Sequence, residues 1–333
     1  MQLFNKTGKL IFKIAIVAFL TLFLFEMAYR YHVIDFYSAQ TNGLNSQKDL
    51  DATNIDLMVF GDSFSATSKE INYVDMLRES RPDSSVLNFS VPGFGIRQVN
   101  TFADKKIKRY TPKAILYQVY VGNDLIDVNH LWDLEKFSFS RNLYWEASDH
   151  FLSLGYLNQR LAILNVKTET RLSGILKKEF DSSFYDIRTK RFLKSDAYYL
   201  DNMLMLKGGF KKRYLSWLKH MQDFLDTVPQ DVPVYIVWIP HQAQVGDYYY
   251  QSMIKLGAAF QEKAAIQNPE YPFFSEAKRD LSNYKNVTHI NPLPFFQSKD
   301  TVNNRLYFVN DPHINKSGNT VLHSFLQSQI PFN

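Results

Sequence analysis

The chain has no cysteine among its 333 residues. That absence excludes disulfides, thiolate metal sites, a cysteine nucleophile and lipid attachment through a cysteine. It leaves the compartment open, since proteins without disulfides occur in every compartment. Metal-binding patterns are missing too. The eight histidines are scattered, with no H-x-x-x-H and no carboxylate pair at ligand spacing, so no metal and no cofactor are expected. The net charge is only +5. It lacks the clustered basic footprint of a nucleic-acid binder, and no RNA or DNA motif is present. There is no internal repeat. Nor is there a G-x-S-x-G elbow, which excludes the α/β-hydrolase placement of a serine nucleophile.

What is present reads as a globular protein. Hydrophobic residues make up 45% and charged residues 21%, which argues against disorder. The length allows one large domain or two small ones. Aromatic residues are abundant, with 27 Phe and 20 Tyr. Residues Leu10 to Phe25 form an apolar run broken only by Lys13 and Thr21, with Lys6 and Lys9 before it. Extended through Tyr29, the run reaches the ~20 residues needed to span a bilayer. The lysine-rich flank keeps the N-terminus cytoplasmic and sends the rest across the membrane. An uncleaved single-pass anchor in the cell (inner) membrane is the expectation. A cleaved signal peptide is the rival, but the bulky Phe25-Glu26-Met27 lacks the small residues of a cleavage site. A buried core helix is the third reading. Residues 1–31 are thus read as cytoplasmic stub and anchor. Residues 32–54, polar and aperiodic, are read as a linker, and residues 55–333 as an extracytoplasmic or periplasmic domain.

Within that domain, strands are expected at 55–60, 86–89, 114–121, 232–239 and 287–290. Helices are expected around 70–80, 96–109, 207–227 and 316–328, the last capped by Asn315. Nearly continuous apolar runs such as Ala114 to Val121 suit strands buried on both faces of a parallel sheet. Strands alternating with helices imply an α/β fold with a doubly wound, mostly parallel sheet. Residues 125–205 break the alternation and are read as an aromatic-rich insertion beside the site.

Ligands of open α/β sheets sit at the carboxyl ends of strands. Four polar groups fall at such ends or just before the last helix: Gly61-Asp62-Ser63, the run Asn88 to Gly95, Gly122-Asn123-Asp124, and Asn310-Asp311-Pro312-His313. Each alone is a weak signal. Together and in this order they resemble the SGNH/GDSL hydrolase family over nearly all of residues 55–330. The resemblance implies a flavodoxin-like SGNH fold, with Ser63 as nucleophile, His313 as base and Asp311 as its orienting acid. It also implies an oxyanion hole made by the Ser63 amide, the Gly93 amide and the Asn123 side chain. Phe64 stands where the family often has Leu. A single residue separates Asp311 from His313, a shorter spacing than is usual, similar to that in polysaccharide O-acetylation proteins. The chemistry suits the residue types. A serine hydroxyl needs a base to become a nucleophile, histidine titrates near working pH, and the developing oxyanion needs preorganised donors.

His241, at the end of a strand, is a candidate substrate contact, with a plain loop histidine as the alternative. Asp62 is read as shaping its turn. The aromatics Trp132, Phe137, Phe139, Tyr144, Trp145 and Tyr248-Tyr249-Tyr250 either pack the insertion or stack on sugar faces. Residues 167–194 carry eight Lys or Arg against four Asp or Glu, which suits an anionic glycan, lipid headgroups or a plain solvated face. By this resemblance the function expected is a serine esterase or O-acyl (acetyl) transferase acting on extracytoplasmic acylated carbohydrate. A membrane acyl-donor protein is the partner the transferase form implies. A lipid-directed esterase and a non-catalytic glycan-binding assembly protein are the alternatives. The topology has a direct check. A C-terminal alkaline phosphatase fusion is expected to be active, and an inactive phosphatase with an active cytoplasmic reporter would reverse the orientation.

Overall fold

The computed structural model describes residues 2–66, 71–128, 139–163 and 177–331. Five strands form one parallel sheet: β1 (Leu57–Phe60), β2 (Val86–Asn88), β3 (Ile115–Tyr120), β4 (Val234–Ile239) and β5 (Val287–Ile290). Their spatial order is β2-β1-β3-β4-β5. Every residue of β1, β3 and β4 is buried, as expected when helices cover both faces of a parallel sheet. Val59 pairs with Asn88 on one side and Leu116 on the other, which places β1 between β2 and β3.

The order reverses direction after β2. Right-handed crossovers then place the helix Tyr73–Glu79 on one face and the helices leading to β3, β4 and β5 on the other. Helix Lys316–Gln329 packs against Tyr73–Glu79. On the opposite face, Phe224 of the long helix Gly209–Leu225 meets Phe60 and Tyr117, with ring centroids 5.6 and 5.2 Å away. Trp217 of the same helix meets Trp238 at 5.7 Å. The cap expected on the last helix forms, and the helix Tyr73–Glu79 carries a second one. Asn315 accepts from the Gly318 amide at 3.0 Å, and Asn72 closes a capping box with Asp75.

The N-terminal helix runs from Gln2 to Arg30. An 18-residue stretch within Thr7–Arg30 has a mean hydropathy of 2.3, and 6% of that stretch is buried. It is long and apolar enough to cross a membrane, and its exposed Leu10, Ile11, Phe12 and Phe19 exclude the core-helix reading. Only its end enters the domain. The Glu26 carboxylate accepts from the Leu152 and Ser153 amides at 3.0 and 2.9 Å, where helix Ser153–Ile163 begins with unpaired backbone donors.

Residues 32–54, expected as a free linker, are packed instead. They carry the short helices Ser38–Asn42 and Gln47–Asp51, and Tyr37, Thr41 and Leu50 are buried. Their polar side chains serve the fold. Asn45 donates to the Asn88 carbonyl at 2.8 Å and accepts from the Asn88 amide at 2.7 Å. Arg78 donates to the Leu44 and Val86 carbonyls at 3.2 and 3.1 Å. These bonds cover edge strand β2, whose open backbone groups would otherwise invite pairing with another chain. Composition read the segment as a spacer because its residues are polar. Here the polarity is spent on a sheet edge.

Candidate active site

Ser63 begins a short helix directly after β1, at the carboxyl edge of an inner strand of the sheet. The turn between them is tight. A Cβ on Gly61 would lie 2.5 Å from Gln118 Oε1. Asp62 Oδ1 accepts from the Phe64 amide at 2.9 Å, which is the turn-shaping role expected of it.

Asp311 and His313 sit on a turn after β5. Its base is pinned by the Asn315 amide donating to the Leu306 carbonyl at 3.0 Å and the Phe308 amide donating to the His313 carbonyl at 3.0 Å. Asn310 ties the turn to the insertion through the Asp181 amide at 2.7 Å and the Glu179 carbonyl at 3.0 Å. Helix Lys316–Gln329 can seat beneath only because residue 318 is glycine. A Cβ there would stand 2.1 Å from the Leu306 carbonyl oxygen.

This scaffold brings Ser63 Oγ to 2.7 Å from His313 Nε2. His313 Nδ1 bonds Asp311 Oδ1, and the same oxygen accepts from the His313 amide at 3.0 Å. The single residue between them is therefore enough. Asp311 closes a local turn onto the His313 backbone and reaches the ring from there. A carboxylate on Nδ1 requires the proton on that nitrogen, so Nε2 offers its lone pair to the Ser63 hydroxyl. That arrangement can pass a proton from Ser63 to His313.

A pocket of about 360 Å³ opens over these groups. Pro92, Gly93 and Asn123 line it together with Ser63 and His313. Gly93 has φ +80°, and a Cβ there would meet nothing within 4 Å. The glycine is thus demanded by its left-handed backbone, where a side chain is strained, and not by crowding from the protein around it. Gly122 is the crowded one: a Cβ would lie 2.4 Å from Tyr120 Cζ.

His241 also lines the pocket and is buried. Its Nδ1 accepts from the Ala243 amide at 3.2 Å, so it caps the turn it starts as well as facing the site. Burial pushes its pKa down to about 3, which leaves a neutral ring at working pH. The insertion supplies Asp186, Arg188, Thr189, Phe192 and Tyr199 to the pocket wall. None of these was singled out from sequence, because an insertion far along the chain carries no local pattern that points at a distant site. Of the aromatics expected near the site, Tyr249 is buried and donates to the Tyr307 carbonyl at 3.5 Å, and Tyr144 packs on the core. Phe139 is exposed. Trp132, Phe137 and residues 167–176 lie outside the described residues. Three of the six described cations of the basic stretch are engaged: Lys177 pairs with Asp181 at 2.8 Å, Arg188 pairs with Asp127, and Lys190 bonds the Ser182 and Ser183 carbonyls, while Lys178, Arg191 and Lys194 lie exposed.

Three carboxylates lie buried under the site: Asp62, Asp124 and Asp127. Burial pushes Asp62 up to about 6 against the lowering effect of the Phe64 amide and of His313. Asp124 is raised well above the carboxylate range by burial and by the charges of Asp62 and Asp127. Among the described residues no group fits a metal-binding cluster.

No protein-family model and no curated protein matches the chain. Among solved structures, the chain is similar to the acetyl xylan esterase AlAXEase, at 12% identity over 83% of this chain and 100% of the other, with TM-score 0.43. It is similar to a variant of Axe2, an acetyl xylan esterase from Geobacillus stearothermophilus, at 10% identity over 85% and 97%, with TM-score 0.41. A third similarity is to an alpha/beta hydrolase enzyme from the metagenome of Lake Arreo, Spain, at 11% identity over 83% and 95%, with TM-score 0.37. At such identities and scores the chemistry rests on this chain's own residues.

The raised Asp62 pKa gives a signed expectation. Relative to a neutral isostere, the buried acid costs nothing below pH ~4, where it is protonated both folded and unfolded. The cost grows as pH rises through the folded value of about 6. Asp62→Asn should therefore melt several degrees above wild type at pH 8, with the gap closing toward pH 4. Thermal melts across that range check it, and a gap independent of pH would remove the buried charge from the account.

Proposed function

We propose that this chain is an SGNH-type serine esterase that forms an acyl-enzyme on esters of carbohydrate outside the cytoplasm. The observation that carries the reading is the Ser63 Oγ to His313 Nε2 contact of 2.7 Å, with Asp311 on the far nitrogen of the same ring. In the proposed reaction Ser63 Oγ attacks the ester carbonyl carbon while its proton passes to His313 Nε2. The Ser63 amide, the Gly93 amide and the Asn123 side chain donate to the oxyanion. Collapse breaks the bond to the alcohol oxygen, which leaves with the proton from His313. Water, or a second sugar hydroxyl, then takes the acyl group by the same steps in reverse. Hydrolysis and transfer share every residue of the first half and differ only in the acceptor.

The small pocket favours a short acyl group such as acetyl over a lipid chain. A non-catalytic protein would have no need to hold serine and histidine in hydrogen-bond contact. The N-terminal helix supports an uncleaved anchor with the domain outside. Cleavage after Glu26 would remove its carboxylate from the Leu152 and Ser153 amides it caps.

Kinetics on p-nitrophenyl acetate test the roles. Ser63→Ala and His313→Ala should each lose roughly 10³-fold or more in kcat, and the double variant little beyond that, because residues acting as one unit are not additive. Asp311→Asn should lose less, since the ring still accepts the proton but is less often in the right tautomer. Ser63→Ala activity above a hundredth of wild type would remove Ser63 as nucleophile.

A further inference from the structure

Tyr120 ends β3 at the carboxyl edge of the sheet and lines the pocket beside Ser63 and Asn123. It is 4% exposed. Its hydroxyl is buried and has no hydrogen-bond partner among the described residues. Two features hold the ring there. It lies on Phe64, the residue after the nucleophile, with centroids 4.1 Å apart, and Phe64 in turn lies 4.8 Å from the His313 ring. Its phenol end folds back against the chain at Gly122. An ideal Cβ at 122 would stand 2.6 Å from Tyr120 Oη, so only glycine admits this pose. The hydroxyl is therefore held next to the residue before Asn123, at the rim of the expected oxyanion hole.

Leaving a hydroxyl buried and unbonded is unfavourable, and most such groups in folded proteins have partners. Phenylalanine would pack the same space without that cost. Burial also raises the Tyr120 pKa well above its usual value, so the group stays a neutral O–H donor. What it lacks is an acceptor; its ring lines the pocket, and a small turn of that ring would bring the hydroxyl, which is closed off from solvent, to a substrate oxygen.

We infer that Tyr120 is a specificity-determining residue, whose hydroxyl donates to a free hydroxyl oxygen on the carbon next to the ester in the alcohol part of the substrate. The inference rests on the esterase reading and adds a substrate class to it: monoesters of vicinal diols, the arrangement of an acylated sugar ring. The alcohol side follows from the chemistry. An unsubstituted short acyl group carries one strong acceptor, its carbonyl oxygen, and the oxyanion donors claim it. The nearest remaining acceptor of a sugar ester is the hydroxyl one carbon away from the ester-bearing carbon. A site built to bond a hydroxyl discriminates strongly against the analogue lacking it.

A matched pair of probes tests this: trans-2-hydroxycyclohexyl acetate and cyclohexyl acetate, which differ by that one hydroxyl. Wild type should prefer the hydroxy ester by tenfold or more in kcat/KM, and Tyr120→Phe should erase the preference. The ligand-free Tyr120→Phe protein should melt at or above the wild-type temperature. A wild type without preference, a preference that survives Tyr120→Phe, or a melting temperature several degrees lower in the variant would each overturn the assignment. Cyclohexyl glycolate supplies the remaining arm. If Tyr120→Phe instead abolishes a preference for this hydroxylated acyl group, the acceptor is on the acyl side and the proposal is wrong. Failure of the esterase reading looks different, because wild type would then turn over none of the three esters.

Discussion

The hydrogen bond between Ser63 and His313 joins groups 250 residues apart in sequence, and nearly everything else in the domain serves to make it possible. A parallel sheet puts the carboxyl ends of its strands on one edge, so the end of β1 and the turn after β5 open toward the same side. The contact still needs the turn at a set height. Gly318 lets the last helix seat directly beneath that turn, where any Cβ would strike the Leu306 carbonyl. Asn310 anchors the same turn from the other side by bonding the backbone of the insertion.

The strands, their order of polar ends and the last helix were legible because each rests on a local signal. Apolar runs between turn formers read as buried strands, and Asn315 before a helix reads as a cap. The pairing of Asp311 with His313 was expected only through the family resemblance, and the turn explains how one intervening residue suffices. Other features were not legible, for physical reasons. Asn45 looks like any linker residue until strand β2 is present to need a cover. Arg188 and Tyr199 reach the pocket through tertiary packing that leaves no local pattern. Tyr120 reads as one more apolar strand residue, and only its unbonded hydroxyl sets it apart.

The insertion links two ends of the molecule. One part supplies pocket-wall residues, including Arg188, whose guanidinium pairs with buried Asp127. Another part receives the end of the N-terminal helix, where Arg30 donates to the His150 carbonyl at 2.7 Å and Glu26 caps the next helix. Phe25 and Tyr29 add ring contacts to Tyr156 at 6.2 and 6.1 Å. The apolar helix thus enters the domain through packed contacts and not through a flexible tether.

The central claim is that His313 activates Ser63 as a nucleophile. Reaction with a fluorophosphonate followed by peptide mass mapping tests it most directly, because the reagent needs an activated serine and no knowledge of the natural ester. The account predicts one covalent adduct, on Ser63, formed at least a hundredfold more slowly in His313→Ala. Absence of labelling in the wild type, an adduct on another serine, or an undiminished rate without His313 would contradict it.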